Sequence, residues 1–105
     1  MQNHQINKIK NLVGIANKAG YVIFGADNLN GYNKKLYLLI KAKEVGNGIV
    51  KLWQRMLENP NIQHIELEND IVQQITNSEN CRIFAIKNKG LADEIIKVIR
   101  GENIG

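Results

Sequence analysis

The stretch LYLLI, Leu36–Ile40, is apolar on both of the faces a strand would present. A strand with one wet side alternates apolar and polar residues, so an unbroken apolar run predicts a strand covered above and below. Covering both faces takes two layers of helix, and the flanking sequence supplies them. Upstream, Ile6, Ile9, Leu12, Val13 and Ala16 fall on one helical face, with Lys8, Lys10 and Lys18 around the other side. Asn3 is placed to cap that helix and Gly20 to stop it in the left-handed conformation. YVIF, Tyr21–Phe24, then reads as a short strand closed by Gly25. From Ala26 to Lys35 a short helix is expected, weakened by Gly31 and by four asparagines or aspartates.

Downstream, Asn47 is placed to cap a helix whose buried face is Ile49, Trp53, Met56 and Leu57. ENPN, Glu58–Asn61, ends it, because Asn59 before Pro60 is steered out of the helical region. In IQHIELE, Ile62–Glu68, Ile65 and Leu67 fall on one side and His64, Glu66 and Glu68 on the other, a half-covered strand. Asn69 or Asp70 starts a short helix carrying Ile71, Val72 and Ile75. CRIFAI, Cys81–Ile86, is another buried strand, and a last helix buries Leu91, Ile95, Val98 and Ile99. The order αβαβαβαβα, with short connections and no repeat or linker, predicts an α/β fold. Specifically, it predicts a three-layer α/β/α sandwich around about four strands, forming one domain over residues 1–105.

Composition narrows the classes. The chain is 44% hydrophobic and 23% charged, as ordinary globular proteins are. No apolar run approaches the ~20 residues of a membrane span, and MQNHQINKIK lacks the apolar centre of a signal peptide, so the cytoplasm is the expected location. The single cysteine, Cys81, excludes an internal disulfide and a thiolate metal site within one chain; inside CRIFAI it reads as a buried structural thiol. The net charge of +4 is unevenly spread: residues 1–55 carry +7 and residues 56–105 carry −3. A polyanion-binding face leaves that kind of asymmetry.

No catalytic constellation assembles from the sequence. His4 lies near the start of the chain and His64 on the polar side of a strand, neither at ligand spacing, so no metal or other cofactor is expected. His64 with Glu66 reads as a solvated strand face rather than an acid–base pair. Neither G-x-x-x-x-G-K-[ST] nor G-x-G-x-x-G occurs. Trp53, at helical spacing with Ile49 and Met56, reads as core. YVIFG is followed by Asp27 alone, too few acids for a phosphoacceptor. A non-catalytic protein is the expectation.

One motif points to function: NLVGIANKAGYVIFGADNLNGYNKK, Asn11–Lys35. Gly25 sits between a strand and a helix, where a sharp turn exposes the unpaired amides of the helix start, a setting that favours phosphate or another acceptor-rich partner. Asp27 and Asn28 have short polar side chains suited to capping that helix or to reading base edges. Lys34 and Lys35 lie at its far end, and Lys18 just before Gly20. Structured RNA, whose loops and bulges splay bases outward, fits such a surface. The plainer reading is a tight turn with a helix cap.

NLVGIANKAGYVIFGADNL, KLYLLIKA and CRIFAIKNKGLADEI resemble the kink-turn RNA-binding ribosomal protein superfamily (ribosomal L seven-Ae, L thirty-e, S twelve-e and Gadd-like proteins), above all its short bacterial members. The resemblance spans nearly the whole chain in element order and implies the same sandwich, with RNA engaged where the first strand meets the second helix. The family's signature there is G-x-N-E followed by a lysine. Gly25 matches, while Asp27 stands for Asn, Asn28 for Glu and Gly31 for the lysine. In the second RNA-contacting loop, where the family favours a basic stretch, this chain has Glu66, Glu68 and Asp70. Two functions follow as expectations. One is an RNA-binding accessory protein linked to translation or the ribosome, using Lys18, Gly25, Asp27, Asn28, Lys34 and Lys35. The other is a protein-interaction module on the same fold, with Glu66, Glu68 and Asp70 as the contact for a basic partner.

Overall fold

The computed structural model describes residues 1–101; residues 102–105, the end of the expected domain, lie outside the described residues. Among the described residues five helices and four strands alternate: α1 (Asn3–Lys18), β1 (Val22–Phe24), α2 (Ala26–Leu29), β2 (Leu38–Ala42), α3 (Asn47–Met56), β3 (Gln63–Leu67), α4 (Asn69–Thr76), β4 (Ile83–Ile86) and α5 (Lys89–Ile99). The strands form one mixed sheet in the order β1-β4-β2-β3. β4 runs antiparallel to both β1 and β2, and β2 runs parallel to β3, with Leu38 opposite Gln63 and Ala42 opposite Leu67.

Every residue of β2 and of β4 is buried, as a strand enclosed on both sides requires. Side-chain alternation divides the core in two. Leu38, Ile40, Phe84 and Ile86 pack with Ile9 and Val13 of α1, Val72 and Ile75 of α4, and Ile95 of α5. Leu39, Ile83 and Ala85 point the other way, against Leu29 of α2 and Leu52 and Trp53 of α3. The molecule is an α/β/α sandwich with three helices on one face and two on the other.

Local chemistry sets the element ends, in places differently from expectation. Gln2, not Asn3, takes the cap position of α1, and its N–H donates to Gln5 Oε1 at 2.9 Å. Gly20 closes α1 at φ 79°, with Gly20 N–H bonded to Asn17 O and Tyr21 N–H to Ala16 O, the paired bonds of a Schellman ending. The expected helix over Ala26–Lys35 is a single turn ending at Leu29. Asn30 is extended, and Gly31 adopts φ 83°, a left-handed state that helix cannot contain. Asn47 is the first residue of α3, with Gly46 at the cap. Asn69, at the start of α4, binds both backbone groups of Glu44, donating to its O at 2.8 Å and accepting from its N–H at 2.9 Å. Those two bonds tie the loop after β2 to the first residue of α4.

β2 also runs further than the apolar run, through Lys41, the one buried charged residue among those described. Its ammonium donates to Ala42 O (2.7 Å), Lys43 O (3.4 Å) and Glu66 Oε2 (3.1 Å), and lies 5.4 Å from the centre of the Trp53 ring. The three donors of the ammonium are thus met, which is what makes its burial tolerable. Glu66 is half exposed, at 47%, so water can replace part of what its removal takes away. Glu66→Gln is expected to lower stability by about 1–2 kcal/mol in urea unfolding, below the cost of orphaning a fully enclosed charge.

Candidate nucleic-acid interface

The turn from β1 into α2 is built on Gly25, whose φ of 88° and ψ of 152° lie in a region essentially closed to residues with a Cβ. Its N–H donates to Ile83 O at 2.9 Å, which fastens the turn to β4. Leu29, fully buried, anchors α2 from below, and the turn is closed by Leu29 N–H to Gly25 O (3.2 Å) and Asn30 N–H to Ala26 O (2.8 Å). The N–H groups of Ala26, Asp27 and Asn28 meet no acceptor among the described residues, and no side chain caps them. Asp27 and Asn28 are exposed. Asn28 is partly committed: its Nδ2 donates back to Phe24 O at 2.8 Å, leaving its Oδ1 free.

Two grooves flank α2. One, of about 490 Å³, separates α2 from α3 and is lined by Ala26, Asp27 and Asn30 on one side and Ile49, Lys51 and Arg55 on the other. The second, of about 400 Å³, lies beyond Asn30 and includes Tyr32, Lys34 and Arg55. Arg55 Nη2 donates to Asn30 Oδ1 at 2.8 Å, a bridge that both grooves share. Asp27 is the one carboxylate lining either groove. Lys34, Lys51 and Arg55 form no ion pair among the described residues.

Of the residues the sequence singled out, Gly25, Asp27, Asn28 and Lys34 gather around α2. Lys35 turns away: its ammonium sits 5.3 Å over the Tyr37 ring, which packs on the three-helix side of the sheet. Lys18 ends α1 and lines neither groove. The cations that border the turn but were not among those residues are Lys51 and Arg55, one helical turn apart on α3; Lys87, paired with Tyr21 at the other end of β1, lies 5.9 Å over Tyr32. The i, i+4 spacing of Lys51 and Arg55 was visible in the sequence; their position beside α2 was not.

The acidic stretch is not a bare carboxylate patch. Glu66 pairs with Lys41, and Glu68 pairs with Lys43 at 2.7 Å, a contact that holds Lys43 above the ordinary lysine range through its hydrogen bond and charge. Asp70 lines a groove between α1 and α4 that also holds Lys10. Among the described residues no group of three or more His, Cys, Asp or Glu is placed to hold a metal ion, and no helix is long and apolar enough to cross a membrane. Comparison of the chain with models of known protein families and with curated proteins returns no match.

Cys81 is half-buried, just ahead of β4 rather than inside it. Its Sγ donates at 3.3 Å to Ile83 O, the carbonyl that also receives Gly25 N–H. Burial pushes the thiol above its ordinary range, opposed in part by the backbone at Ile83 and Gly25. The fold therefore favours the neutral thiol, and stability linked to it is present at neutral pH and falls as pH rises past the unfolded thiol's pKa. Alkylation of native Cys81 by iodoacetamide, followed by mass spectrometry at pH 8, is expected to be several-fold slower than in urea. Gly25→Ala meets no steric obstacle, since no atom lies within 4 Å of the added Cβ, but its backbone is strained. A loss of about 1–3 kcal/mol in thermal or urea unfolding is expected, while Gly14→Ala, inside α1 and equally unobstructed, is expected to stabilise.

Proposed function

We propose that this chain is a non-catalytic RNA-binding accessory protein that contacts structured RNA through the strand-to-helix turn after Gly25. The observation that carries the reading is the run of N–H groups at Ala26, Asp27 and Asn28 without an acceptor among the described residues, on a turn whose Asp27 and Asn28 are exposed and whose flanking groove carries Lys51 and Arg55, with Lys34 in the next. Amides that lack an acceptor inside the protein take one from outside, and flanking cations bias that choice toward phosphate and base-edge oxygens. The α2 turn is too short for a large helix dipole, so the attraction comes from local N–H groups and side-chain charge. A place in translation, on or near the ribosome and in the cytoplasm, is supported by the sequence resemblance to kink-turn-binding ribosomal proteins. The competing reading, a protein-interaction module using Glu66, Glu68 and Asp70, has less support because two of those carboxylates are already neutralised by lysines.

Filter binding against a kink-turn RNA and a plain duplex, at two salt concentrations, tests the proposal. Binding is expected to prefer the kink-turn and to weaken with salt at a log–log slope of roughly 0.7–0.9 per phosphate neutralised, hence about 2–3 for three cations. Charge reversal at Lys51 and Arg55 is expected to cost at least about tenfold and to flatten that slope. Binding that ignores salt, or absence of binding to both RNAs, overturns the proposal.

A further inference from the structure

β1 is an edge strand, and its hydrogen-bond parity shows which of its groups face outward. Lys87 N–H bonds Tyr21 O and Gly25 N–H bonds Ile83 O, so residues 21, 23 and 25 turn their backbone toward β4. In an antiparallel ladder the alternate residues turn theirs away. Val22 and Phe24 therefore direct their N–H and C=O groups outward, and the Asn28 bond to Phe24 O agrees with this. A groove of about 400 Å³ runs along this edge, lined by Val22, Ile23, Phe24, Asn28 and Tyr32, with no carboxylate among them. Lys87 stands over the Tyr32 ring at 5.9 Å, the outer limit of cation–π attraction, so little holds it there against a phosphate.

We propose that this groove binds one unpaired nucleobase of RNA, stacked on Tyr32 and held at its edge by Asn28 Oδ1 and the outward backbone of β1, with Lys87 on the adjoining phosphate. The inference rests on the RNA-binding reading above and extends it to an adjoining surface along β1, which shares Tyr32 with the groove beyond Asn30. An aromatic ring, a mixed set of donors and acceptors, and a lone cation are the elements of single-stranded base recognition. An extended peptide adding to the sheet is the poorer occupant. With Phe24 O already taken by Asn28, the edge offers only the two groups of Val22 and the N–H of Phe24, too short a ladder for strand addition. Lys87, beside Tyr32, likewise complements a phosphate.

The test is NMR titration of the ¹⁵N-labelled full chain with oligouridine, a fully paired RNA duplex and a neutral extended peptide. Oligouridine is expected to shift the Val22 and Phe24 amide signals, and the duplex and peptide to leave them in place. Tyr32→Leu, which keeps the apolar packing and removes the ring, is expected to weaken oligouridine binding about tenfold, while Tyr32→Phe stays within about twofold. Unmoved Val22 and Phe24 signals, or a Tyr32→Leu variant that binds oligouridine normally, overturn the base site. The RNA reading then stands if kink-turn binding still depends on Lys51 and Arg55. Shifts caused by the peptide instead of oligouridine overturn it in favour of strand addition. Absence of binding to any RNA overturns both.

Discussion

Burying β2 on both faces forces most of what else the molecule does. Its backbone groups can be satisfied only by neighbouring strands, and β4 and β3 supply them from either side. Its side chains then demand a helical layer above and another below. The two layers are unequal. α1, α4 and α5 make a broad cover with an apolar inner side, whereas the other face is left to the single turn of α2 and the ten residues of α3. A thin layer cannot seal a sheet face. The gaps between α2, α3 and the loop that follows α2 are the grooves with the cationic rim, and the same face holds the buried ammonium of Lys41 beneath Trp53. Polar chemistry collects where apolar cover runs out.

The fold was legible where one residue pattern served one purpose. α1 repeats its apolar residues at helical spacing and ends at Gly20, and the apolar runs around Leu39 and Phe84 are continuous because both faces of those strands are covered. The rest was hidden for identifiable reasons. α2 reads longer than it is because Asn30 and Gly31 lower helix propensity without announcing where the chain turns. Lys41 reads as the end of a strand, since its burial depends on Glu66 and Trp53, which lie far along the chain. The cationic rim was half legible: Lys34 follows Gly31 by three residues, but Lys51 and Arg55 reach the groove beside α2 only through the fold.

Asp27 and Asn28, equivalent in sequence as a small polar pair, are unequal in space. Asp27 sits at the lip of the α2–α3 groove, where its carboxylate moderates an otherwise positive rim. Asn28 leans the other way and closes the carbonyl of Phe24, so it blunts the exposed edge of the sheet while keeping one oxygen open. One turn of helix thus addresses two surfaces, and Gly25 fixes the direction of both.

The partner of β1 lies far along the sequence: Val22 faces Ile86 and Phe24 faces Phe84. On a chain growing from its N-terminus, the β2–α3–β3 unit is local and closes on itself early, whereas β1 waits for β4 to emerge. The bond from Gly25 to Ile83 O cannot exist before then. A nascent polypeptide halted short of Ile83 would hold β2 and β3 yet lack the fastened turn, so the corner at Gly25 is completed only once β4 has been made.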